Sequence, residues 1–154
     1  VKQVRDGEQG RSHRRMRRLM DFEGTWAIDR VIEDRLGGSG RFVGQARFAP
    51  DGAGLRYHED GVLTLGTGAS MRAERSYVWR QDGPRSVVTF DDHRPFHSFD
   101  PMGSGAGDRH HCDPDIYDVI YDFDAWPKWS SVWTVIGPRK DYVMRSDFLR
   151  LERT

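Results

Sequence analysis

The sequence predicts an all-β chain folded as an antiparallel up-and-down β-barrel of about nine or ten strands. From residue 20 onward, apolar and polar residues alternate with the period of two that a half-buried strand requires. Turn-forming clusters interrupt this alternation every eight to twelve residues. Aromatic residues make up 12% of the chain, a composition that favours strands and aromatic-lined cavities. An open sheet of so many strands would leave exposed edges, and closure into a barrel removes them. A barrel of this size has room for one small ligand. The alternative reading of the same pattern is a β-sandwich.

The elements follow in order. Trp26 to Asp34 reads as the first strand, ending at the turn Gly37-Gly38-Ser39-Gly40. Arg41 to Phe48 places Phe42, Gly44, Ala46 and Phe48 on one face. Pro50-Asp51-Gly52 is a turn, because proline presets φ and glycine accepts a positive φ. Leu55 to Leu65 aligns Leu55, Tyr57, Gly61, Leu63 and Leu65, and Gly66-Thr67-Gly68 turns again. Met71 to Arg80 aligns Met71, Ala73, Tyr77 and Trp79 before the turn Gln81-Asp82-Gly83-Pro84 and a strand from Arg85 to Phe90. Asp91-Asp92-His93, with Arg94 and Pro95 behind it, reads as a turn rather than a metal cluster. A short strand at Phe96 to Phe99 precedes the Gly-rich stretch Pro101 to Asp108. Ile116 to Phe123, Trp129 to Ile136 and Tyr142 to Leu151 complete the series, the last two joined by the turn Gly137-Pro138-Arg139-Lys140.

A length of 154 residues suits one domain, and 36% apolar with 31% charged residues suits a globular one. The net charge is zero, so no global field recruits nucleic acid or anionic membrane, and neither is expected as a partner. A single cysteine excludes an internal disulfide framework and a multi-cysteine zinc site. No apolar run approaches the roughly 18 residues of a membrane helix. Residues 1–19 carry seven cations against two acids. They read as a flexible basic extension or a short helix through Arg14 to Phe22, ahead of a barrel over residues 20–154. The arginines run directly into Asp21-Phe22-Glu23 with no apolar segment after them, which argues against export and for a cytoplasmic protein.

Phe22-Glu23-Gly24-Thr25-Trp26 resembles the Gly-x-Trp opening of lipocalin-like (calycin) barrels. That resemblance implies that Trp26 closes one barrel end, packed by an arginine of the last strand, Arg145 or Arg150. The body from about Asp21 to Arg153 is also similar to an uncharacterised bacterial family of small calycin-like domains. The similarity rests on Phe96-His97, the string His110-x-Cys112-x-Pro114-Asp115-x-Tyr117, Trp129 and Trp133, and Gly137-Pro138-Arg139-Lys140-Asp141-Tyr142. The family implies a fold without an activity. The wider superfamily implies ligand carriage, haem binding of the nitrobindin kind, or cofactor-free enzymes of the phenolic-acid-decarboxylase kind. No histidine follows His111, which counts against the haem role, and no cofactor is expected.

Arg109 to Tyr142 holds the only cysteine, three of the five tryptophans and three of the five tyrosines. By strand parity His110 and Cys112 share a face, expected to point inward, with His111 outward. His97 lies in the preceding strand and is expected to pair across the ladder with this region. A zinc site made of His97, His110 and Cys112 fits no standard spacing, so no metal is expected. If the protein is an enzyme, His110, Cys112, Asp115 and Tyr117 are its catalytic candidates, as base, nucleophile, acid and hydrogen-bond donor. As a binding protein, its contacts are expected from His97, His110, Tyr117, Tyr121, Trp129, Trp133, Lys140 and Tyr142. Ser131, between Trp129 and Trp133, suits a pocket floor. The reading adopted is a barrel binding a small, partly apolar, anionic or aromatic molecule. Its alternatives are a cofactor-free enzyme and a structural or protein-binding barrel, the last a homodimer through an edge strand.

Overall fold

The computed structural model describes residues 17–102 and 107–152. Ten strands fill them: β1 Gly24–Asp34, β2 Gly38–Asp51, β3 Gly54–Leu65, β4 Ser70–Asp82, β5 Arg85–Phe90, β6 Pro95–Phe99, β7 Gly107–Cys112, β8 Asp115–Asp122, β9 Trp129–Gly137 and β10 Lys140–Glu152. They form one antiparallel sheet in the order β6-β5-β4-β3-β2-β1-β10-β9-β8-β7. Each strand neighbours the next in sequence, and β1 pairs with β10 from Asp34↔Tyr142 to Thr25↔Glu152. The sheet therefore curls until β6 approaches β7, giving a nearly closed up-and-down barrel rather than a sandwich.

The seam between β6 and β7 has no backbone ladder, contrary to the pairing expected for His97. Side chains span it instead. Asp108 Oδ2 accepts from the Ser98 amide at 2.7 Å, and the His97 ring and Tyr121 hydroxyl meet at 2.7 Å. The helix expected over Arg14–Phe22 is reduced, within the described residues, to a single 3-10 turn at Leu19–Phe22. Residues 1–16 of the expected basic extension lie outside the described part.

Alternation does the folding work. Along β1, Trp26, Ile28 and Arg30 are buried while Asp29 and Val31 are exposed or half-exposed. Outward acids and arginines pair across neighbouring strands: Arg41 with Asp29, Arg72 with Asp60, and Arg109 with Asp118. Such exposed pairs contribute little each, and mainly favour this register. In the β2–β3 pairing, Gly44 lies opposite Gly61. A Cβ at Gly44 would stand 2.2 Å from the Asp60 carbonyl oxygen, so the close approach of these strands requires glycine there.

One barrel end is filled and the other is not. The 3-10 turn inserts Leu19 and Phe22 into the end where Trp26, Phe48, Leu55, Phe99, Phe123 and Trp129 are buried. Phe22 meets the Trp126 ring at 4.9 Å and the Trp79 ring at 5.4 Å. The Trp26 indole N–H donates to the Phe22 carbonyl at 2.8 Å. Arg150 lies 4.2 Å over the Trp26 ring and donates to the Glu23 and Asp21 carbonyls. Of the two arginines that the resemblance offered for this end, Arg145 is on the outer face and exposed.

Candidate functional site

The open half of the barrel encloses a cavity of about 230 Å³. Residues of nine strands line it. Arg30 comes from β1, Tyr57 and Glu59 from β3, and Arg75, Tyr77 and Trp79 from β4. Val88 and Phe90 come from β5, Phe96 and His97 from β6, and His110 and Cys112 from β7. Tyr117 and Tyr121 of β8, Trp129, Ser131 and Trp133 of β9, and Tyr142, Met144 and Phe148 of β10 complete the wall.

The aromatic wall is ordered by stacking. Trp133 stacks on Phe96 at 5.0 Å between centroids, and Phe96 stacks on Phe90 at 4.6 Å. Trp129 lies flat on Phe148 at 3.8 Å and separates the cavity from the filled end. Ser131, between the two tryptophans, is buried and gives the cavity its depth.

Polar atoms interrupt this apolar lining. Among the described residues, His97 Nδ1, Trp79 Nε1 and Trp129 Nε1, buried on lining residues, have no hydrogen-bond partner. Buried polar atoms are normally paired, so three orphans on one cavity wall are unusual. Burial lowers the His97 pKa to about 3, the charge of Asp108 opposing this and His110 adding to it, so the imidazole is neutral. Burial also raises the hydroxyl pKa values of Tyr57 and Tyr121, keeping both protonated.

A charged group that sequence reading missed lies across the cavity from His97. Arg30 Nη1 meets Glu59 Oε2 at 2.9 Å, and Arg30 Nε donates to Ser146 Oγ at 2.7 Å. Arg75 Nε stands 3.3 Å from Glu59 Oε1. Parity alone places these three inward. Glu59 continues the face of Tyr57 and Gly61, and Arg75 that of Ala73 and Tyr77. Following only apolar residues passes over them.

The expected polar corner is divided. His110 and Tyr117 are cross-strand partners, as are Cys112 and Asp115, so the β7–β8 hairpin does bring the four to one face. His110 is half-buried, with the Phe96 ring at 5.4 Å. Cys112 lines the cavity at its exposed mouth. Asp115 is not part of the lining: its Oδ2 pairs with Lys140 Nζ at 3.0 Å, and Lys140 also donates to the Tyr117 hydroxyl at 2.9 Å. Those bonds, Tyr117 first, raise the Lys140 pKa. A Cβ at Gly137 would stand 1.9 Å from Asp115 Oδ1, so the glycine keeps room for this rim cluster. Among the described residues no trio of His, Cys, Asp or Glu is placed to hold a metal ion. No described helix is long and apolar enough to cross a membrane.

Comparison with known proteins agrees with the fold. The profile of a family of unknown function, DUF6314, matches residues 22–150. The chain belongs to that family. No curated protein matches it in sequence. Among solved structures, the S-type phycobiliprotein lyase CPES from Guillardia theta is similar, with a TM-score of 0.61 and 8% identity over 88% of this chain and 92% of that one. At that identity the likeness is one of fold, a calycin-like barrel.

Proposed function

We propose that this barrel binds one small, largely aromatic molecule in its open half. The observation that carries the reading is the aromatic-walled cavity of about 230 Å³ whose buried His97 Nδ1, Trp79 Nε1 and Trp129 Nε1 have no partner among the described residues. An apolar pocket with a few convergent polar atoms is the usual form of a ligand site. Drug-sized ligands occupy about 300–1,000 Å³, so this cavity suits a body of one or two rings. The stacked Phe96–Trp133 pair offers a flat wall, and His97, Tyr117, Tyr121 and Tyr142 offer hydrogen bonds. His110 and Cys112 would meet the ligand at the mouth, with Lys140 at the rim. That a phycobiliprotein lyase is built on a similar barrel supports the scaffold's suitability for small-molecule work.

The catalytic alternative draws less support, because Asp115 is tied to Lys140 and Cys112 stands at the exposed rim. The test is calorimetric titration with naphthamide, a neutral two-ring probe. The expected result is one-to-one binding that Ser131→Phe abolishes, with the circular dichroism of the variant unchanged. Absence of binding, or binding that S131F leaves intact, would contradict the reading.

A further inference from the structure

The cavity wall holds two guanidinium groups and one carboxylate. Arg30 is fully engaged: it pairs with Glu59 at 2.9 Å, donates to Ser146 at 2.7 Å, lies 5.2 Å over the Phe42 ring, and its side chain is only 8% exposed. Glu59 thus faces two guanidinium groups, with Oε2 towards Arg30 and Oε1 towards Arg75. Arg75 reaches Glu59 only at 3.3 Å through Nε, and its side chain is 46% exposed. The other acid nearby, Glu74, turns outward, 3.5 Å from His58 and 63% exposed. His97, across the cavity, is neutral. The wall is thus one negative charge short, and the excess sits on Arg75. The same three side chains also line a second cavity of about 70 Å³, so they form a charged partition between two hollows rather than a surface patch.

We infer that the ligand of this barrel is a planar aromatic monocarboxylate, its ring against Phe96 and Trp133 and its carboxylate on the guanidinium of Arg75. This rests on the binding reading above and adds the charge and orientation of the occupant. A carboxylate matches the fork of an arginine and brings the single charge the wall lacks. A phosphate monoester would bring about two charges and overfill the deficit. Ring and acid are then held side by side: Phe96 stacks on Trp133 at 5.0 Å and on Tyr77 at 5.5 Å, and Arg75 lies two residues from Tyr77 on the same face of β4.

The experiment compares naphthoate with naphthamide by calorimetric titration of the wild-type protein, Arg75→Gln and Arg75→Lys. The wild type is expected to bind the acid at least about tenfold more tightly than the amide, as a charged hydrogen bond gives. R75Q should lose that preference, with its circular dichroism unchanged to show that it is folded. R75K should keep the preference in part. Equal affinity of acid and amide for the wild type, or a preference that survives R75Q, overturns the inference and leaves the pocket standing. Failure of both probes to bind removes the pocket along with it.

Discussion

His97 shows what burial does to a titratable side chain in this barrel. Its pKa falls from 6.5 to about 3, chiefly through desolvation. The unfolded chain therefore binds a proton between those values that the folded chain refuses. The stability this confers is complete above pH 6.5 and is lost as the pH falls towards 3. At pH 5 the loss from this group is about 2 kcal/mol. Urea unfolding should show that decline from pH 7.5 to 5, and His97→Gln should flatten it. An equal decline in both proteins would show that His97 titrates freely. At this scale the sequence was readable where side chains are apolar and misleading where they are not. Parity puts Trp129, Ser131 and Trp133 on one face, and all three line the cavity. Glu59 and Arg75 obey the same parity, yet a charged residue in a buried row reads as an interruption until its partners are seen. Glu59 is held by Arg30, which in turn donates to Ser146, and these residues come from strands far apart in sequence.

Among the elements, β2 and β3 depend on the closeness of their crossing. The Gly44–Gly61 pair brings backbone close against backbone. Gly44→Ala would force its Cβ onto the Asp60 carbonyl. The expected cost is about 1–3 kcal/mol, seen as a lower urea midpoint with an unchanged slope. A change under about 0.5 kcal/mol, the level of an ordinary surface substitution, would mean that the strands part without strain. The strand series itself was legible because alternation and turn residues agree along nearly the whole chain. The β6–β7 seam was not. Proximity in sequence suggested a ladder, but β6 and β7 are the two edges of the sheet. Whether such edges join by a backbone ladder or through a side chain, as the Asp108 carboxylate joins the Ser98 amide, depends on how far ten strands curl.

The whole molecule divides its interior between two tasks. The end beneath Trp129 is packed solid by the 3-10 turn, Trp26 and their aromatic neighbours, and Arg150 clamps it shut. The other end stacks its inward aromatics along the wall of a cavity and, among the described residues, leaves polar atoms on that lining unpaired. The opening Gly-x-Trp pointed to the first task, and Arg109–Tyr142 to part of the second. The charged wall opposite needed the closed barrel to assemble it. The five tryptophans report on both ends. Trp79 and Trp129 present unpaired indole N–H groups on cavity-lining residues, whereas the Trp26 N–H is held by Phe22 in the packed end. Heteronuclear NMR of the indole N–H signals during titration with naphthoate tests the central claim directly. The signals of Trp79, Trp129 and Trp133 should shift together and saturate at one equivalent, with Trp26 moving least. Signals that stay in place, or that drift together without saturating, would contradict a ligand site inside this barrel.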